Sequence, residues 1–292
     1  MATLWSPICD QLGIKVPIFG FAHDIATVAA ISNAGGYGVY GATRRFPDEI
    51  TQELAQIKAL VGERPFGVDL VLPPGMPEHD SREAIEIDIP DEHKAFVQSI
   101  IEQYNIPPAT QPGMRTRFIR SAAIEAAQIQ SVLASPVNMF ACGIGAPAPV
   151  IEAAKAQGMT TLALIGSPHH VARTIAAGVD IIVAQGYDAG AHTGTIGTYS
   201  LVPQIVEAAG DVPVLVAGGV ATGKHIAAAL AMGAQGVWMG TAWLFSEEHQ
   251  GHMHPINTQK LIEAGSGDTV ITRSESGKTF RQVRSGWSQA WE

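Results

Sequence analysis

Short apolar runs alternate with segments of helical periodicity along most of this sequence. Val16–Gly20, Tyr37–Gly41, Phe66–Leu72 and Val137–Cys142 read as buried strands, and so do Thr160–Ile165, Asp180–Ala184, Val212–Ala217 and Gly236–Gly240. Between them lie helical patterns. Asp24 is placed to cap a helix through about Ala34, which Gly35-Gly36 ends. Pro47-Asp48-Glu49 opens a helix to about Val61, acidic at its start as the helix dipole favours. Further helices are predicted over Phe118–Leu133, up to Gln157, from Ser167-Pro168 to Ala177, over Tyr199–Ala209 and over Gly223–Met232.

Two stretches break the alternation. From Pro73 to about Gly113 the chain is charged and rich in proline, with one helix predicted from Pro90 to Tyr104. With its return helix this makes a helical insertion, 73–134, after the third strand. Beyond Thr241 the sequence turns polar, with a helical stretch near Ile256–Ala264. We read residues 1–292 as a single α/β domain in which 242–292 is a C-terminal segment of open extent.

Little in the pattern looks antiparallel, so a (β/α)8 TIM barrel and an open doubly wound sheet both fit. Three features favour the barrel. There are eight strands, and polar, glycine-rich signals gather at their C-terminal ends. The last two strands end in Gly218-Gly219 and Gly240-Thr241, where barrels often bind phosphate. Asn33–Gly38 follows a helix instead of opening one, so it fails as a dinucleotide fingerprint.

Composition narrows the classes. Hydrophobic residues make up 46% and charged residues 15%, a globular profile with a large core. The net charge of −9 comes without a basic block, which disfavours nucleic acid. No apolar run reaches membrane-span length, and the N-terminus lacks signal-peptide features. Two cysteines, Cys9 and Cys142, suit reduced thiols in a cytoplasmic protein.

The chemistry concentrates in Gln185–Gly194, which has three glycines, one histidine, one carboxylate and little bulk. Such a loop is poor core but lets backbone approach a flat or anionic ligand. His192, at a strand's C-terminal end, can donate a hydrogen bond or exchange a proton near pH 7. Asp188 either orients it or faces solvent. Gly219, Gly240 and Thr241 belong to a phosphate cradle or simply to tight turns. Cys142 is read as wall at the barrel mouth, because the sequence supplies no base for it. His169-His170 are read as first-turn residues, and His249, His252 and His254 as a solvated polar tail, not as metal ligands.

Gln185-Gly186-Tyr187-Asp188-Ala189-Gly190-Ala191-His192 resembles the Gln-Gly-x-Glu-Ala-Gly-Gly-His signature of the nitronate monooxygenase family. Ala30–Gly38, Val214–Val220 and Gly236–Thr241 match its other motifs, and the resemblance covers most of 1–72 and 135–285. It implies an FMN-binding barrel. Gln185, Gly190, Gly219, Trp238, Met239, Gly240 and Thr241 would contact the flavin, the last four around its phosphate, and His192 would be the catalytic histidine. Asp69 falls where the family has an asparagine near the ring, and His23 replaces a methionine after the first strand. Asp188 shortens the usual glutamate, and Ala191 replaces a glycine. His23, Cys142 and Asp188 are the substrate-pocket candidates. The implied reaction is FMN-dependent oxidation of a small alkyl nitronate by oxygen to a carbonyl compound and nitrite. The alternative is an NAD(P)H-dependent reductase of quinones or enoyl thioesters on the same fold, and a third reading is a non-catalytic flavin- or phosphate-binding barrel. Many relatives continue past the Arg281-Gln282-Val283-Arg284 segment, so the ending at Trp291-Glu292 reads as a short form or a fragment.

Overall fold

The computed structural model describes residues 4–78, 80–113, 117–249 and 253–291. The chain opens with α1 (Pro7–Leu12), β1 (Ile18–Ala22), α2 (Ile25–Asn33), β2 (Tyr37–Gly41), α3 (Pro47–Val61) and β3 (Phe66–Leu70). Three helices follow before the next strand: α4 (Arg82–Ile87), α5 (Asp91–Gln103) and α6 (Ala122–Leu133). Then come β4 (Met139–Cys142), α7 (Ala148–Ala156), β5 (Thr160–Ile165), α8 (Val171–Ala176), β6 (Ile181–Gln185) and the two-residue β7 (Ala191–His192). The last part holds α9 (Thr198–Ala209), β8 (Val214–Ala217), α10 (Gly223–Ala231), β9 (Gly236–Met239), α11 (Pro255–Glu263), β10 (Thr269–Thr272), β11 (Phe280–Val283) and α12 (Gly286–Ala290).

Eight parallel strands close into a barrel in the order β1-β2-β3-β4-β5-β6-β8-β9, and β9 pairs back onto β1. The fold is a (β/α)8 TIM barrel. Its strands read as unbroken apolar runs because both faces are covered. Phe19, Tyr37, Val39, Met139, Leu162, Val183, Leu215 and Trp238 fill the interior. Phe66, Val68, Phe140, Ile182 and Val237 point outward to the helices. Each such side chain contributes roughly 1.5–3 kcal/mol relative to exposure. Helix α1 adds Ile8 and Cys9 to the interior cluster, and Ser6 Oγ donates to Gln235 O beside it.

Asp24 caps α2 as expected, its Oδ1 accepting from Thr27 N at 2.7 Å. Three expectations need correction. The proline-rich stretch, for which the sequence predicts one helix, holds a second, α4, ahead of α5; Ser81 starts it by accepting from Ala84 N at 3.3 Å. An antiparallel sheet, β10-β11-β7, stands beside the barrel. Its strands are short and only part-buried, so they carry no strong alternation. His249 is not in a solvated tail. It is 7% exposed, and its Nδ1 lies 2.7 Å from Asp24 Oδ2, which fastens the segment after the barrel to the start of α2. His254 caps α11 by accepting from Ile256 N, and His252 lies outside the described residues. Among the described residues no group of histidine, cysteine and carboxylate side chains could hold a metal ion, and no helix is long and apolar enough to cross a membrane.

Candidate active site

The candidate residues gather at the C-terminal face of the barrel. The loop after β6 folds back on the loop after β8. Gly218 and Gly219 both take positive φ, +100° and +74°, which side chains other than glycine rarely adopt. A Cβ on Gly218 would lie 2.9 Å from Ala189 N, and one on Gly219 would lie 3.3 Å from Asp188 Cβ. A Cβ on Gly190 would sit 2.7 Å from Thr241 Oγ1. The glycine loops after β6, β8 and β9 therefore meet as one small-residue cluster whose backbone could hold an anion.

Gln185 and His192 are joined across the same loop, Gln185 Nε2 donating to His192 O at 2.5 Å. Ala191 takes φ +63°, the conformation a glycine would adopt more easily, and it is held there by pairing with Arg281 on β11. His192 pairs with Phe280 in the same ladder, and their rings meet edge to face at 5.1 Å. His192 Nε2 lies 2.7 Å from Ser276 Oγ. The imidazole is thus fixed from two sides by the hairpin, and neither partner could be found from the sequence, because Ser276 sits in a polar run without period.

Arg281 clamps the loop itself. Its guanidinium donates to Tyr187 O at 2.9 Å and to Thr269 Oγ1 at 2.8 Å, and it lies over the Tyr187 ring at 4.6 Å. Removing these contacts should ease local opening of the loop by about 1–3 kcal/mol. Arg281→Ala should therefore speed amide exchange at Ala191 and Thr193 by roughly tenfold or more while global melting changes little. Unchanged exchange at both amides would contradict the clamp.

Beside His192 a cleft of about 1410 Å³ runs between the ends of β4, β5 and β6 and the 72–78 and 278–279 segments. Gln185, His192, His170, Arg173 and Lys278 line it, as do the carboxylates Glu78 and Glu125. Burial, then the charges of Arg173 and His169, hold the His170 imidazole below its usual range. Gly219, Gly240 and Thr241 are not part of the lining; they connect to it through the 186–190 loop.

Asp69 projects inward from the end of β3, since Phe66, Val68 and Leu70 point outward from the same strand. It is 4% exposed, and its Oδ2 is buried without a hydrogen-bond partner. Burial pushes its acid up to about 7, with Arg120 pulling the other way. Arg120 donates to Val71 O and to Gln128 Oε1 at 2.7 Å and pairs with Glu125 at 3.3 Å, while its Nη2 is buried without a hydrogen-bond partner.

Other candidates sit differently from expectation. Cys142 is not at the mouth. It is fully buried toward the helices, and burial, then the nearby Asp69 charge, push its thiol up to about 12. Asp188 does not orient His192; its Oδ2 accepts from Thr198 N at 2.9 Å at the start of α9. Hydrogen bonds from Thr198 hold that carboxyl below its usual range. His23 is exposed at the end of β1, its Nδ1 lying 2.9 Å from Gly41 O and its ring edge-on to Phe21. Trp238 stacks on Phe21 inside the barrel at 5.8 Å, and Met239 faces the helices. Around the loop cluster these two contribute backbone, not side chain.

Comparison with known proteins identifies the family. The family model for nitronate monooxygenase matches residues 7–292. A Mycobacterium tuberculosis protein carrying a monooxygenase name, Rv1533, is 40% identical over 98% of this chain and 78% of its own length. A Staphylococcus haemolyticus protein named a probable nitronate monooxygenase is 33% identical over 94% of this chain and 77% of its own. Among solved structures, a nitroalkane oxidase from Streptomyces ansochromogenes superposes with TM-score 0.77 at 27% identity, over 97% of this chain and 80% of that one. FabK from Thermotoga maritima superposes with TM-score 0.75 at 25% identity, over 98% and 77%. With a family model that matches nearly the whole closed barrel and relatives 33% and 40% identical along it, the chain belongs to the nitronate monooxygenase family of oxidoreductases.

Proposed function

We propose that the protein binds FMN and oxidises small alkyl nitronates with oxygen to a carbonyl compound and nitrite. One observation carries the reading. The glycine loops after β6, β8 and β9 meet as a cluster a single Cβ would fill, and His192 faces a cleft beside them. Gly190, Gly219, Gly240 and Thr241 would hold the FMN phosphate through backbone. Gln185 and Asp69 would lie toward the ring. When bound, FMN supplies the two-electron redox chemistry.

The chain's own residues do the rest. His192 hydrogen-bonds the polar head of the nitronate and orients it. Ser276 and Phe280 fix the imidazole so that no rotamer search precedes binding. Lys278 and Arg173 place two cations on a cleft that the carboxylates Glu78 and Glu125 also line, and an anionic substrate would be drawn to the two cations. The hairpin and the 72–78 segment form part of the cleft wall.

Cleft size supports a second reading. At about 1410 Å³ it exceeds what a small nitronate fills and leaves room for a nicotinamide or thioester substrate. Anaerobic mixing of the FMN-loaded protein with nitronate, NADH and NADPH side by side separates the two. Bleaching of the flavin by nitronate alone is the expected result, and rapid bleaching by a reduced nicotinamide would assign the protein to the reductases. A protein that cannot be reconstituted with FMN would sink both.

A further inference from the structure

We propose that Asp69 is a proton-carrying contact to the flavin ring, holding it as the neutral acid, so that flavin binding weakens as this one group ionises. The inference rests on the FMN reading above and goes beyond it, because it gives this chain a pH dependence that an asparagine in the same place would not have.

The geometry sets Asp69 apart from an ordinary acidic residue. It projects into the barrel from the catalytic end of β3 with almost no exposure, and its buried Oδ2 has no partner. Small residues flank it on both neighbouring strands. Gly41 is its register partner on β2, where the His23 and Phe21 rings cover the glycine, and the Asp69 carboxyl lies over Gly143 after β4, both oxygens 3.1 Å from where a Cβ there would stand. A buried polar atom is normally satisfied, so an orphaned carboxyl oxygen at the barrel mouth points to a ligand that completes it.

Chemistry decides the protonation state that ligand would meet. A carboxylate only accepts hydrogen bonds, whereas the neutral acid also donates one. A flavin ring presents acceptors along its pyrimidine edge, and an unpaired anion beside it would be desolvated without compensation. The groups facing Asp69 do not supply that compensation. Arg120, ahead of α6, is the nearest cation, but it makes no hydrogen bond to Asp69: it donates to Val71 O and Gln128 Oε1, pairs with Glu125 of α6, and leaves its Nη2 buried without a partner. Arg44, on the loop after β2, adds a second positive charge that acts on Arg120. Cys142 on β4 is a buried neutral thiol. His23 at the end of β1 is engaged with Gly41 O. The burial that raises the Asp69 acid agrees with this geometry.

The test is flavin binding to the full-length apoprotein, followed by quenching of flavin fluorescence from about pH 5 to about pH 9. Riboflavin is titrated beside FMN, because it lacks the phosphate whose own ionisation would otherwise enter the profile. For the wild type the riboflavin Kd should rise about tenfold or more through neutral pH, while Asp69→Asn should bind tightly with a flat profile. Parallel profiles in the two proteins would overturn the proposal. Failure of FMN to bind at any pH would overturn the functional reading as well. Infrared spectra of the wild-type apoprotein give a check that does not depend on the variant folding. A protonated-carboxyl carbonyl band should be present below neutral pH and lost above it, and its absence throughout would also overturn the proposal.

Discussion

Replacing His192 with alanine should lower kcat/KM for a small nitronate by roughly 100- to 10,000-fold, with FMN affinity changed by less than about threefold. The two readouts separate because two parts of the residue do different work. The backbone carries the loop: His192 O accepts from Gln185, and the residue pairs with Phe280 across the ladder. Alanine keeps both. The side chain lines the cleft and is held by Ser276 Oγ and the Phe280 edge. Only those contacts and the contact to substrate vanish. His192→Gln adds a second comparison, since its amide can donate a hydrogen bond but cannot exchange a proton near neutral pH. Partial recovery would mean that orientation dominates, and no recovery would mean that proton exchange matters. Turnover unchanged in the alanine variant would favour a non-catalytic flavin-binding barrel.

The barrel was legible because parallel strands buried on both faces leave apolar runs that cannot be mistaken for polar loops. Asp24 and the glycines after β8 were equally plain, since capping and positive φ select few residue types. Cys142 shows where this legibility ends. A strand buried on both faces has no alternation to fix its parity, and a shift of one residue turns a side chain from mouth to helix layer. His249 fails for a different reason. Its partner, Asp24, stands 225 residues away, and nothing local marks a histidine as buried. The hairpin that holds His192 was unreadable for both reasons at once. β10 and β11 are four residues each and part-buried, and β7 is two residues in a glycine-rich loop. The site was therefore readable where backbone chemistry constrains residue type, and hidden where distant side chains position it.

Asp69 should also make the apoprotein less stable as pH rises, whatever flavin does. The unfolded aspartate loses its proton near 3.8, and the folded one holds it to about 7. Between these values the folded state binds more protons than the unfolded state, so stability falls with increasing pH across that window and levels off above it. About three pKa units correspond to a loss on the order of 2–4 kcal/mol. Other carboxyls act in the same range. Burial raises Glu125 in the same sense as Asp69, whereas the lowered Glu49, Asp180 and Asp188 add stability above acid pH. The total profile therefore does not isolate Asp69, but the difference between wild type and Asp69→Asn does. Urea unfolding of the two apoproteins should show the difference shifting in the variant's favour by about 2–4 kcal/mol between about pH 4.5, where the folded Asp69 is still neutral, and about pH 8.5. An equal difference at the two pH values would mean that Asp69 ionises as freely in the folded barrel as in the unfolded chain. Its neutral form would then have no bearing on the fold.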